Sequence, residues 1–325
     1  MSDAPEPPLV RPPDASWPAP DLSPRHVETR PASERPPRPI DAGLSPDLPL
    51  RPIGSQQSRA VPPGFVTAMR VPNGATLTTF SIFRYPRGSW LWALRQMGSA
   101  RRPLAATPGL GFHHLLGSGA GLGFSRVPDF SRYALLATWS SEQAADDFFA
   151  ASPMIESFRQ RASEVWTVKL LARRSRGSWK RQTPFTPTTD DLPPGLPTVV
   201  ITRACLRLRA MLRFWGRVPA IERDLVAAPG MRLALGVGEL PWVRPVTFSV
   251  WDDEAALERF ANAGSHHAAA RAAHARGWFR ENLFARFTAI ATQGQIAGHD
   301  PCGLSPVPRD MSLGPAPMNT SLTVS

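Results

Sequence analysis

Three histidines and an arginine in one short stretch are the residues best suited to chemistry. The segment SHHAAARAAHARGWFREN, Ser265 to Asn282, reads as a helix in which Ser265, after Gly264, caps a new turn. From there His267, Arg271 and His274 fall at i, i+4 and i+7 on one stripe, while His266 points about 100° away. Histidine is the commonest nitrogen ligand of haem iron, and arginine pairs with carboxylates. The alanines between them leave room for something flat and large. Read from the residues alone, the stripe more simply holds histidines that cap or decorate a surface helix.

Other candidate groups are more ambiguous. His113 and His114 are neighbours on a predicted strand, so they face opposite sides and cannot converge on one metal. Arg203, Arg207 and Arg209 alternate along TRACLRLRA with Cys205 on the same side, and Arg173, Arg174, Arg176 and Lys180 crowd into RRSRGSWKR. Such clusters suit cofactor propionates, anionic phospholipid heads or an acidic partner, and equally well ordinary solvated charge. Cys205 reads as a small core residue, with a thiolate ligand as the alternative. The glycines of GSGAGLGF, Gly117 to Phe124, lack the full dinucleotide fingerprint and sit in a hairpin. No Walker loop, HExxH, GxSxG or CxxC occurs, and two cysteines rule out a disulfide framework. The tryptophans fall at strand ends and helix faces rather than interleaved on one sheet, so nucleic acid is not an expected partner.

Two near-equal halves must position these groups. TPGLGFHHLLGSG aligns with APGMRLALGVGEL at an offset of 121, and RYALLATWSSEQAADDFF with RPVTFSVWDDEAALERFA at an offset of 112. One longer hairpin in the first half accounts for the change. Each half reads as a β-branched run, a helical block (Trp90 to Arg101; Ala210 to Ala227), a Pro-Gly turn and short strand, and a strand ending in Trp139 or Trp251. Helix N-terminal signals follow those tryptophans, then an amphipathic helix and a last strand. The order β-α-β-β-α-β is the ferredoxin-like unit, and the predicted fold class is α+β: tandem repeats forming a single-chain dimeric α+β barrel. The space between the two sheets is the expected ligand cavity. The repeats are placed at 76–182 and 198–301, with a Pro/Thr-rich linker at 183–197. Of 37 prolines, 17 precede Gly64, so residues 1–70 read as a disordered arm and 302–325 as a disordered tail. No apolar run reaches the ~18 residues of a spanning helix, and the start lacks a signal-peptide core. The expectation is a cytoplasmic protein whose net charge of +11 suits an anionic membrane surface.

Several longer stretches resemble the spheroidene monooxygenases of purple phototrophic bacteria, the acyclic-carotenoid ketolases. They are LWALRQMGSARRPLAATPGLGFHHLLGSGAGLGF, WTVKLLARRSRGSWKRQTPF, RFWGRVP, GVGELPWVRPVTFSVW, GWFRENLFARF and GQIAGHDP, colinear from Thr76 to Pro301. The family usually has Trp-Lys where this chain has His113-His114, and position 267 matches a family histidine where His274 does not. The resemblance implies an oxygenase that places a keto group at C2 of acyclic carotenoids, as in spheroidene to spheroidenone, through successive hydroxylations. It further implies haem as cofactor, with His267 as its metal ligand and Arg271 beside it. Dioxygen and reduced ferredoxin are the implied co-substrates. Peripheral contact with the inner or intracytoplasmic membrane follows from the substrate. A non-catalytic haem or carotenoid carrier using the same cavity is the alternative from another class.

Overall fold

Strand and helix signals alternate along the chain, and the computed structural model shows how they assemble. It describes residues 64–72, 75–239, 243–262, 273 and 276–304. A two-residue strand β1 (Val66–Thr67) precedes the first repeat, which runs β2 (Leu77–Arg84), α1 (Trp90–Ser99), α2 (Arg101–Ala105), β3 (Leu110–Gly119), β4 (Pro128–Trp139), α3 (Glu142–Ala151), α4 (Pro153–Arg161) and β5 (Glu164–Gly177). The second runs β6 (Thr198–Leu206), α5 (Met211–Trp215), α6 (Val218–Val226), β7 (Met231–Gly238), β8 (Pro245–Trp251), α7 (Glu254–Asn262) and β9 (Phe279–Gly294). Both predicted helical blocks are broken in two, the second at Gly216, where a glycine weakens helix propagation.

The eight long strands form one closed antiparallel barrel in the order β9-β5-β2-β4-β3-β7-β8-β6, with β6 returning to β9. This is the tandem ferredoxin-like α+β barrel that the repeat implies. Each repeat supplies four strands in matching order, and the tryptophans mark the correspondence. Trp139 pairs with Leu77 at the start of β2, as Trp251 pairs with Thr198 at the start of β6. Ser141 accepts a hydrogen bond from the Ala144 N–H, and Asp253 from the Ala256 N–H, so both helices that follow are capped alike.

Alternation along β2 shows why nearly the whole strand is buried. Phe80 and Ile82 point into the barrel, while Leu77 and Phe83 point outward beneath the helices. The barrel interior is solid. Phe80 and Phe248 stack across it at 4.0 Å and 8°, with Trp166, Trp179, Phe185 and Phe287 around them. The expected cavity between the sheets is therefore not there; side chains from both inner faces fill it, as they do in small barrels.

The duplication extends into the turns that follow the last strands. Gly177 and Gly294 both take a positive φ, and a Cβ on either would strike a backbone carbonyl about one bond length too close, at 2.1 Å. The bridges Trp179–Gln182 and Ile296–His299 follow, and then Phe185 and Cys302 return to the core. Cys302 lies at the start of the predicted tail yet is fully buried. Likewise β1 lies within the predicted arm yet pairs with β9. Neither stretch is long enough to show a period in sequence. Among the described residues, no helix is long and apolar enough to cross a membrane.

Candidate functional site

The outer faces of the two half-barrels are covered by equivalent helices, but the two layers are packed differently. In the first, Phe83, Phe148, Phe149 and Phe158 join Trp139, Tyr85 and Tyr133 in one continuous core. In the second, Phe83 is replaced by Ala204 and Phe149 by Ala261, and a cavity of about 230 Å³ opens. Its floor is Val200, Thr202, Ser249, Phe284 and Arg286 on the strands. Its walls are Phe214, Trp215, Ile221 and Leu225 of α5 and α6, and Leu257, Phe260 and Ala261 of α7. The β3–β4 hairpin reaches over from the first repeat to complete the rim with Gly123, Phe124 and Ser125. Glycine is required there: a Cβ on Gly123 would lie 1.9 Å from the Gly236 carbonyl oxygen. Gly119 and Gly123 of GSGAGLGF thus serve close backbone approaches.

Arg286 is the one basic side chain among the described lining residues. It is the counterpart of Lys169, since Lys169 pairs with Thr79 as Arg286 pairs with Val200. Lys169 is held by Glu142 at 2.8 Å and Asp146 at 2.6 Å and lies 4.5 Å from the Phe65 ring centre, sealed from solvent. Arg286 meets the matching acids Glu254 and Glu258 of α7, but it also faces the cavity, and its buried Nε has no hydrogen-bond partner. Burial, then the charge of Arg174, lowers its affinity for a proton relative to free arginine. An unsatisfied guanidinium N–H beside an apolar cleft is suited to an anionic group on an otherwise apolar ligand.

Haem is such a group, and the described walls fit it in part. They supply apolar surface and a cation for a carboxylate, but no His, Cys, Met or Tyr lines the cavity among the described residues. At about 230 Å³ the cavity is below the ~300–1,000 Å³ of clefts that enclose large ligands, so haem would extend through its mouth. The predicted ligand His267, its neighbour Arg271, and His266 and His274 lie outside the described residues. The last described residue of α7, Asn262, precedes His267 by five positions. No three His, Cys, Asp or Glu side chains gather as a metal cluster among the described residues.

The other predicted groups separate. His113 and His114 do face opposite ways: His113 Nδ1 lies 3.0 Å from the Gly111 carbonyl, whereas His114 stacks on Trp179 at 5.1 Å. His114 belongs to a charged cluster at one end of the barrel, centred on Glu239. That carboxylate accepts from Trp179 Nε1 at 2.6 Å and Arg244 Nη1 at 3.1 Å. It also lies near His114 Nε2 (3.4 Å), Lys180 (3.5 Å) and Arg203 (3.7 Å). Burial holds the His114 pKa at about 4, only partly offset by the charge of Glu239. Glu239 itself stays below the ordinary carboxylate range: burial opposes ionisation, but the Trp179 hydrogen bond and the surrounding cations outweigh it. Arg203 is turned inward and bound to Glu281 at 2.6 Å, while Arg207 and Arg209 are exposed. Arg173 donates to the Asp190 carbonyl, and Cys205 is half-buried on β6. None of these lines the cavity. Arg286 was missed in sequence because a single arginine in a strand carries no motif; its match to Lys169 was the available signal.

No protein-family model matches the chain. Spheroidene monooxygenase of Rhodobacter capsulatus is 36% identical over 228 residues, covering 69% of this chain and 95% of that protein. The chain belongs to the spheroidene monooxygenase family. A second member, from Cereibacter sphaeroides, is 34% identical over 254 residues, covering 74% of this chain and 78% of the relative. Among solved structures, an aldoxime dehydratase aligns over 72% of this chain and 89% of its own, at 10% identity and a TM-score of 0.47.

Proposed function

We propose that this chain is a haem-dependent oxygenase that converts an acyclic carotenoid such as spheroidene to its C2 ketone. The observation that carries the reading is that, among the described residues, the second helix layer holds a cavity where the first is filled by a continuous core, in a chain of this family. The occurrence of histidines in this segment and not in its first-repeat counterpart, Ser152 to Trp166, supports His267 as the iron ligand.

When bound, haem supplies the activation of dioxygen that side chains alone cannot. The chain's own residues would do the rest. Arg286 and, by the family match, Arg271 would hold the carboxylates, while Phe214, Trp215 and Phe260 would grip the apolar polyene end and keep water out. Each hydroxylation consumes one dioxygen, two protons and two electrons, the electrons delivered by reduced ferredoxin, and yields one hydroxyl and one water. After two rounds at one carbon, the geminal diol loses water and leaves the ketone.

The test is spectroscopic. His267→Ala should abolish the haem ligand field in reconstituted protein while leaving circular dichroism unchanged, because an alanine-rich segment tolerates one more alanine. His274→Ala should retain the band. An unchanged spectrum for His267→Ala overturns the assignment and makes His274 the next candidate. Wild-type protein that is coloured but never oxidises carotenoid with reductant and oxygen would be a carrier instead.

A further inference from the structure

Leu212 and Leu208 are the most exposed large apolar side chains among the described residues, at 78% and 76%. They lie at i and i+4 across the short turn Leu208–Ala210 and α5, so they project on one side. Arg207, Arg209 and Arg213, all exposed, flank them, and Arg209 and Arg213 form no ion pair with any described residue. No Asp or Glu occurs from Leu192 to Ile221. The opposite side of the same segment is anchored. Ala210 is buried against Trp278, and Phe214 and Trp215 line the cavity.

We infer that the segment Arg207–Arg217 docks on an anionic lipid bilayer, with Leu208 and Leu212 entering the acyl boundary and the arginines on lipid phosphates. Two leucines presented to water cost free energy that insertion recovers, and exposed arginines flanking them, of which Arg209 and Arg213 form no ion pair with a described residue, match anionic headgroups. An acidic protein would satisfy the arginines but gives no reason for the two leucines to stand clear of the surface. The placement also has a consequence for access. The segment that touches lipid on one side forms the cavity wall on the other, so an apolar polyene can pass from the bilayer to the cavity without crossing water. That last step rests on the proposed carotenoid reaction; the docking does not.

Vesicle sedimentation with the full chain tests the docking. Wild type should bind phosphatidylcholine vesicles containing phosphatidylglycerol, and should bind neutral phosphatidylcholine vesicles and high-salt samples weakly. Leu208→Glu/Leu212→Glu should lose about tenfold or more in binding, with unchanged circular dichroism. The control Leu91→Glu/Leu94→Glu makes the same charge change on the matching helix α1 of the first repeat, where Leu91 is also exposed at 63%. It should retain binding. Wild type left in the supernatant, full binding by the Leu208/Leu212 variant, or equal loss in the control would each overturn the proposal. Turnover separates the two readings. If detergent-dispersed carotenoid is oxidised equally by wild type and the Leu208/Leu212 variant while vesicle-borne carotenoid is oxidised only by wild type, the docking is supported. A chain that docks as described yet oxidises neither overturns the reaction and leaves the docking standing.

Discussion

The two helix layers of this barrel follow one pattern and are packed in opposite ways, one filled and one hollow. In the first, Trp139 packs on both Phe148 and Phe149, at 5.0 and 6.2 Å. In the second, Trp251 keeps only the equivalent of the former, Phe260, at 5.1 Å, because the equivalent of the latter is Ala261. The capped helix, the strand-end tryptophan and the buried cation paired to two acids are retained in both. What differs most is side-chain volume, together with the exchange of the sealed Lys169 for Arg286, which faces the cavity. A frame held by hydrogen bonds and ion pairs can therefore lose aromatic filling in one copy and keep its shape, while the other copy carries the packing energy.

That contrast makes the largest prediction a stability loss in the filled layer. Phe149→Ala should cost about 3–5 kcal/mol, as for other buried phenylalanines, and urea unfolding would measure it. The reciprocal change is Ala261→Phe. It should leave stability within about 1 kcal/mol, because the ring enters existing space, but should weaken haem or carotenoid binding by about tenfold or more. Titration of haem into the two variants distinguishes them. Unimpaired binding to Ala261→Phe would mean that the cavity is not the ligand site.

The barrel was legible in the sequence and the hollow was not, for a physical reason. Offsets of 121 and 112 are carried by turns, caps and strand-end tryptophans, which are local signals. Ser141 and Asp253 cap because Ser and Asp do so wherever a helix begins there. Whether a barrel interior is filled depends on how Phe80, Phe248, Trp166 and Phe287 meet from four different strands, and no local pattern encodes that. The candidate site residues divide in the same way. His267 and Arg271 stand out by type and spacing, whereas Arg286 acquires meaning only when its strand is seen beneath α7. The cluster around Glu239 was invisible for the same reason: its members come from β3, β6, the end of β7 and the turn after β5.

The barrel ends offer a smaller effect of the same kind. His114 in the first repeat corresponds to Leu235 in the second, where the position is apolar and buried. Burial holds the His114 pKa at about 4 against an ordinary 6.5, so the folded chain binds fewer protons than the unfolded chain between those values. Stability is complete above pH 6.5 and falls as the pH drops toward 4. Glu239 and Glu281, both held below the carboxylate range, add their losses at lower pH. His114→Leu should flatten the upper part of this profile, by on the order of 1 kcal/mol, and leave the lower part in place. Denaturation midpoints across the pH range would show it; an unchanged slope would mean that His114 is protonated in the folded chain.

The smallest expected effect lies in the turns. Both repeats close with a two-residue turn whose central residues have positive φ: Lys180 (53°) and Arg181 (63°) in the first, Ala297 (52°) and Gly298 (82°) in the second. Such turns favour glycine, because a Cβ crowds the backbone in the left-handed region. The second repeat has a glycine at one of the two positions, and the first has none. Lys180 has a reason to stay, since its ammonium lies 3.5 Å from Glu239. Arg181 contributes its backbone N–H, which donates to Glu281 at 2.7 Å, and glycine keeps that group. Arg181→Gly should therefore stabilise the chain by up to about 1 kcal/mol, the relief of left-handed strain less the added freedom of the unfolded glycine. Gly298→Ala, the opposite change in the twin turn, should destabilise it by a similar amount. Urea midpoints moving in opposite directions would establish that the two turns are equivalent in energy as well as in shape. Destabilisation by Arg181→Gly would instead assign the Arg181 side chain a part in the charged cluster.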